Sequence, residues 1–390
     1  MITELKAELE QRAADGLTRR RRLLQSAQSA NVLVDDQAVL SFCSNDYLGL
    51  ANNSELKAAM QQGVELAGIG SGASHLVTGH HQFHDVLEQE LAEFVGMDDA
   101  LLFSSGYMAN IGVVTSLINR HDVIFSDKLN HASLNDAAVL SRADLQRFPH
   151  NDMSKLESML RNVSGDINNK RKLIVLDAVF SMDGDIAPLK KIVELCDQYD
   201  AYCLLDDAHG FGVLGKNGRG TLSHFELSSP RIIYMATLGK AAGVSGAFVA
   251  SNQIIIDYLK QKARSYIYTT ASPPALAYTL SKALAVIKNG DALRLHLNKL
   301  ITKLKLSLNL KNWQLMDSPS AIQPLLVGSN EATIQLSDYL LSLDILVPAI
   351  RPPTVPAGTA RLRISLTTAH SFQDIEKLVA AIHQAERNLL

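Results

Sequence analysis

The sequence predicts an α/β fold: a doubly wound, mostly parallel sheet flanked by helices, followed by a smaller α+β unit. Two observations carry this. From about residue 50 to 280, short continuous apolar runs alternate with helical stretches, the pattern of strands buried on both faces by crossover helices. After "TTASPPALA" the alternation gives way to a helical stretch at about 275–310 and then to short mixed segments. The chain therefore divides into an N-terminal helix and strand segment (1–49), a large α/β domain (50–280) and a small C-terminal α+β domain (281–390).

Taken in order, residues 1–25 read as an amphipathic helix, with Arg19-Arg20-Arg21-Arg22 on its solvated face. "VLSFCSNDYLGLA" reads as a short strand ending in a polar turn. The helical "QFHDVLEQELAEFV" precedes the apolar runs "ALLFSS", "DVIFSD", "KLIVLDAVF", "YCLLDD", "RIIYMA" and "GAFVAS", each a buried strand. Beyond residue 310 come "AIQPLLVG", a helix near 331–343, "ILVPAIRPP", "ARLRISL" and a final helix. There are no internal repeats and no low-complexity linker.

Composition narrows the classes of function. With 390 residues, 47% hydrophobic and 20% charged, the chain has ample core. A net charge of -3 gives no global basic field for nucleic acid. No apolar run is long enough to span a bilayer, and the acidic N-terminus lacks the apolar centre of a signal peptide. The 3 cysteines show no metal spacing and no disulfide framework, as expected in a reducing cytoplasm.

Two motifs imitate known sites. "GFGVLGKN" (Gly210–Asn217) contains both G-x-G-x-x-G and G-x-x-x-x-G-K. Either nucleotide motif needs a helix to start there, and the Walker form needs Ser or Thr after Lys216. The turn-rich "NGRGTLSHFELSSP" follows instead, so a packed glycine loop is expected. "HHQFH" sets His80 and His84 at i, i+4 spacing. No third ligand is evident, so the expectation is a helix start with solvated histidines and no metal.

Four predicted strand ends carry polar residues, where a parallel sheet delivers its functional groups. Asp206, Asp207 and His209 follow one, Ser181 and Asp183 another, and His131 a third. "LLFSSGYMANIGVV" ends a strand in Ser104-Ser105-Gly106 and opens a helix, a ready anion site. "MATLGKAAG" places Lys240 among small residues after a buried strand, where lysine is costly unless used. Together these suit pyridoxal 5'-phosphate, which needs an amine for its aldehyde, a carboxylate for its ring nitrogen and a phosphate cup.

Over nearly its whole length the chain resembles the α-oxoamine synthases, a family of fold-type I pyridoxal-phosphate acyltransferases. The resemblance rests on "FCSNDYLGLA", "GSGASHLVTG", H-x-x-L-E-x-E-L-A-E-F from His84, "NHASLNDA", "DAVFSMDGDIAPL", "LDDAHGFGVLG", "TLGKAAGVSGA" and "RPPTVPAGTARLRISLTTAH". It implies that Lys240 holds the cofactor and acts as base at the substrate Cα. Asp206 faces the pyridine nitrogen, His209 the phenolic oxygen, and His131 stacks on the ring. Gly106, Tyr107 and Thr237 bind the phosphate, and Ser181 lies against the cofactor. Thr269 and Thr270 reach a neighbouring subunit's phosphate, which implies a homodimer with shared sites. Arg351, near Asn45, takes the amino-acid carboxylate, and Thr354 and an N-terminal arginine contact substrate. Counting back selects Arg19, with Arg20 to Arg22 leaving the register open.

"SAIQPLLVG" with "AIRPPTVPAGTARLR" looks most like the family member of biotin biosynthesis. That implies L-alanine and a pimeloyl thioester, carried by coenzyme A or an acyl carrier protein. A sister activity, such as that of 2-amino-3-ketobutyrate CoA ligase, is the alternative. Ala241, Ala242, His75 and Phe211 depart from the family's pattern without removing a catalytic group.

Overall fold

The computed structural model describes residues 1–164 and 170–389. The chain forms two compact units. One comprises 50–181 and 186–294; the other gathers 1–49, 182–185 and 295–390.

The larger unit is built on a seven-stranded sheet. Its spatial order is Asp99–Phe103, Ala247–Ser251, Ile232–Thr237, Tyr202–Asp206, Lys172–Asp177, Val123–Asp127 and Asp144–Phe148. The last five run parallel; Ala247–Ser251 is antiparallel to both its neighbours. The inner strands read as unbroken apolar runs because helices cover both faces. Ile124, Val175, Leu204, Ile233 and Val249 are all fully buried in one cluster. Six strands match the apolar runs of the sequence. The seventh, Asp144–Phe148 ("DLQRF"), is an edge strand with mixed exposure, and its polar residues hide it from an apolar scan.

Register sets the chemistry. Asp177 pairs with Asp206, and Asp206 with Met235, so neighbouring parallel strands end level with one another. The loop after Ile232–Thr237 carries Lys240 and returns directly into Ala247–Ser251. Leu238 N–H donates to Gly246 O at 2.8 Å and Gly243 N–H to Lys240 O at 2.9 Å. At Gly243, with φ of 70°, an added Cβ would stand 2.5 Å from the Leu50 carbonyl carbon, so the tight turn requires glycine.

The smaller unit holds two sheets. Asn31–Val34, Gln37–Ser41 and Ile345–Leu346 form one; Gln314–Leu315, Ile322–Gly328, Ala360–Ser365 and Ala349–Ile350 form the other. The N-terminal helix is shorter than the sequence predicts. It spans Ile2–Ala14 and buries none of its residues. Gly16, at φ of 65°, turns the chain out of the helix. Arg19–Arg22 thus lie on exposed irregular chain, not on a helix face. Among the described residues no helix is long and apolar enough to cross a membrane.

Candidate active site

The sheet ends of the larger unit bring together Asp206, His131, His209, Lys240 and Thr237. Asp206 is buried as the last residue of its strand. It accepts from Asn110 Nδ2 at 2.8 Å and from the Ala208 amide at 3.1 Å. Asn110 also donates to Ser133 Oγ at 2.9 Å, and Ser133 Oγ lies 2.8 Å from His131 Nδ1. His131 caps the helix Ala132–Ser141, with Nδ1 accepting from the Ser133 amide at 3.3 Å. An accepting Nδ1 places the ring proton of neutral His131 on Nε2. Burial lowers the His131 pKa, against an opposing pull from the Asp206 charge.

The neighbouring strand ends in a second carboxyl group, Asp177. It accepts from the His131 amide at 2.6 Å. Burial, reinforced by the Asp206 charge, pushes its pKa well up, so Asp177 favours its neutral form.

Asp207 has a different role from Asp206. It is fully buried, accepting from the Thr221 amide at 2.7 Å and from the Tyr234 hydroxyl at 2.8 Å. Burial pushes its pKa up to about 7. Gly210 belongs to this packing: an added Cβ would meet Asp207 Oδ1 at 2.1 Å. The loop that imitates a nucleotide motif thus folds over a buried carboxyl group. The helical turns at its end and just beyond it, the three-residue Lys216–Gly218 and the four-residue Thr221–His224, are too short for a phosphate-binding helix.

Lys240 Nζ lies 2.9 Å from His209 Nε2. His209 is buried and Lys240 half-buried. The helix Gly106–Leu117 opens with Gly106 and Tyr107, whose amides have no acceptor within the helix. An added Cβ on Gly106 would meet Thr237 Cγ2 at 2.6 Å, so Thr237 adjoins the helix start. Thr237 Oγ1 is buried and has no hydrogen-bond partner. An orphaned hydroxyl beside a helix N-terminus is what an anion would satisfy. The amine, the carboxylate and this cup fit pyridoxal phosphate. Tyr107 is partly exposed and its hydroxyl donates to Asp136. Ser181 is half-buried in the turn after Lys172–Asp177. Thr270 is exposed, with its backbone bridged to Ser74, and Thr269 is half-buried beside it.

The proposed substrate residues belong to the smaller unit. Arg351 Nη1 donates to the Gly16 carbonyl. With Arg19, Arg20 and Arg22 it lines a cavity of about 910 Å³, while Thr354 is exposed nearby in sequence. Asn45 does not pair with Arg351. Its Oδ1 accepts from Arg363 Nη1 at 3.1 Å and from Tyr47 OH at 3.2 Å. Arg363 is buried, and also donates to Ser365 Oγ at 2.7 Å. The alternation in "ARLRIS" was the available signal: arginines at 361 and 363 on a strand buried throughout. Arg361 is neutralised by Asp183, another residue singled out in the sequence.

The histidines of "HHQFH" correct an expectation. The helix does start there, as Gln82–Val95 capped by His81, but His84 is fully buried rather than solvated.

Comparison with known proteins follows this geometry. Residues 37–382 match the family of class I and II aminotransferases. An 8-amino-7-oxononanoate synthase from Methylobacillus flagellatus is 55% identical over 386 residues, covering 99% of this chain and 96% of that protein. The chain belongs to the 8-amino-7-oxononanoate synthase family. A solved 8-amino-7-oxononanoate synthase from Francisella tularensis superposes with a TM-score of 0.76 at 32% identity, covering 90% of this chain and 99% of that one. A serine palmitoyltransferase from S. paucimobilis, solved with PLP and myriocin bound, gives 0.90 at 28% identity, covering 98% and 97%. These likenesses establish the fold-type I PLP transferase architecture for this member of the 8-amino-7-oxononanoate synthase family.

Proposed function

We propose that the chain is a pyridoxal-phosphate-dependent acyltransferase. It condenses L-alanine with a pimeloyl thioester, releasing carbon dioxide and the free thiol and yielding 8-amino-7-oxononanoate, a step of biotin biosynthesis. The observation that carries the chemistry is Lys240 Nζ set 2.9 Å from His209 Nε2 at the ends of the strands that present Asp206. The name carried by relatives 49–55% identical over nearly the full length supports the substrates.

When bound, the cofactor supplies an electron sink for a carbanion at the amino-acid Cα. The protein's own residues do the rest. Lys240 holds the cofactor aldehyde and later carries the Cα proton. His209 orients the Lys240 amine. Asp206, fixed by Asn110 and the Ala208 amide, keeps a proton on the ring nitrogen by its charge. His131, held by Ser133, offers a flat ring with its proton on Nε2. The Gly106 and Tyr107 amides and the Thr237 hydroxyl take the phosphate.

In the smaller unit, Arg363 beside Asn45 suits a carboxylate gripped by a planar fork. Arg351, expected from the resemblance at the amino-acid carboxylate, is reassigned because Asn45 meets Arg363 instead; with Arg19 it lines a basic cavity suited to an acidic acyl donor, whether delivered by coenzyme A or by a carrier protein. Thr354 stands with Arg351 in the same segment. We place the enzyme in the cytoplasm as a homodimer in which Thr269 and Thr270 complete the partner's phosphate site; a catalytically competent monomer in sedimentation would remove that sharing.

The test is an assay of purified protein with alanine, glycine and serine against pimeloyl, acetyl, succinyl and palmitoyl thioesters. Alanine with pimeloyl thioester is expected to exceed every other pair. A preference for glycine with a short donor would move the chain to a sister activity.

A further inference from the structure

The sequence offers His80 and His84 as a helical pair without a third ligand. The structure supplies one. Residues His75–Gly79 form a single wide turn, so tight that an added Cβ on Gly79 would stand 2.1 Å from the Ala73 carbonyl oxygen. This turn folds His75 back onto the start of the helix Gln82–Val95. The three imidazoles then converge, with ring centroids 5.2, 5.1 and 5.6 Å apart pairwise. One nitrogen from each ring lies within 4.8 Å of the other two.

We propose that His75, His80 and His84, which take no part in the reaction chemistry, form a binding site for a divalent transition-metal cation of the zinc type. Tetrahedral zinc with bonds of about 2.0–2.1 Å sets its nitrogens about 3.3 Å apart. His75 Nδ1 and His80 Nδ1 already stand 2.9 Å apart. A cation between them replaces the proton that this contact requires, and that proton moves to the other nitrogen of its ring. On His80 the other nitrogen, Nε2, faces Glu88 Oε2 at 3.8 Å, beyond hydrogen-bond distance. An all-imidazole set selects zinc, copper, nickel or cobalt over magnesium or calcium.

Both His75 and His84 are buried. His75 is further fixed by stacking on Tyr266, with centroids 4.8 Å apart. His80 keeps about 28% of its side chain exposed, leaving a path for the ion.

His84 has contacts to exchange. Its Nδ1 accepts from the His81 amide at 3.0 Å and its Nε2 donates to the Ser272 carbonyl at 2.9 Å. Coordination through Nε2 replaces the Ser272 bond and shifts the ring proton to Nδ1, so the His81 amide loses its acceptor as well. The cation therefore competes with the anchor of residues 269–272, whose Ala271 amide donates to Ala73 O at 3.0 Å.

The test titrates the holoenzyme calorimetrically with Zn²⁺ alone and, separately, records the visible d–d absorption of added Co²⁺. One cation per chain is expected, with affinity at least tenfold weaker and the cobalt band lost in His80→Ala. His80 is half-exposed, so this variant keeps its fold; His75→Ala provides the second reading. Zn²⁺ is also expected to speed amide exchange at Ala271. Absence of saturable uptake, or uptake and a cobalt band unchanged in both variants, would overturn the site. Unchanged exchange at Ala271 with zinc bound would remove His84 and sink the three-ligand proposal.

Discussion

At the ends of the large sheet, Asp206, Asn110, Ser133 and His131 are joined in sequence by hydrogen bonds of 2.8, 2.9 and 2.8 Å. In the smaller unit, Arg351 and Arg19 stand on irregular chain and line an open cavity. The first region is over-determined: each side chain is fixed by a strand, a cap or a neighbour. In the second, Arg351 is held through the Gly16 carbonyl, itself on irregular chain. The contrast teaches that chemistry demanding a fixed proton geometry suits sheet ends, while the cations proposed for the acyl donor stand on irregular chain.

The largest expected effect tests the rigid region. Lys240→Ala should almost abolish turnover while the cofactor still binds through the Thr237 cup. Borohydride reduction of the native holoenzyme followed by peptide mapping should place the label on Lys240. Label on Lys216 instead would break the assignment.

Next comes the pair of adjacent aspartates. Asp206→Asn keeps the shape and removes the charge. A loss of at least about a hundredfold in kcat is expected, about 2.7 kcal/mol of transition-state stabilisation. Asp207→Asn, turned toward Tyr234 and Thr221, should lose less than about tenfold. Reversal of that order in steady-state rates would mean that the wrong carboxylate has been assigned.

The third experiment sharpens the contrast within the smaller unit. Arg363→Ala should raise the alanine KM strongly, with Arg363→Lys rescuing only part, because a lysine cannot form the fork. Arg351→Ala should act chiefly on the KM of the acyl thioester. If Arg351→Ala instead raises the alanine KM more than Arg363→Ala does, the roles are exchanged.

The smallest effect is a pH dependence. Asp207 is raised from 3.8 to about 7 by burial. The folded state therefore binds more protons than the unfolded state between those values. Stability from this group is fully present below pH 3.8 and is lost as pH rises toward 7. Asp207→Asn removes the titration, so its Tm should fall less than wild type between about pH 4 and pH 7. An unchanged slope in thermal melts would show that Asp207 does not set it.

The rigid region was the legible one. Asp206, His209 and Lys240 stand at or just past the ends of apolar strands, so position marks them, while Thr237 was marked only by the family resemblance. Local chemistry could not separate Asp206 from Asp207, because which carboxylate meets Asn110 depends on a helix 96 residues earlier. The same limit hid the third histidine, whose approach depends on one wide turn. Arg363 was overlooked because it sits inside an apolar strand, and its partner Asn45 lies 318 residues away. The N-terminal helix was overextended because amphipathic periodicity runs past Gly16, while the backbone turn there ends it.

The loop that bears Lys240 joins two antiparallel neighbours, Ile232–Thr237 and Ala247–Ser251, both in the buried interior of the sheet. Opening that loop means unzipping the pairing of Thr237 with Ala247, so local fraying is coupled to global unfolding. The configurational freedom of the lysine's backbone is thus surrendered once, when the chain folds, and not again at each encounter with a small molecule. In kinetic terms, successive turnovers start from the same placement of the amine's backbone, and only the lysine's four-carbon stem remains to be ordered.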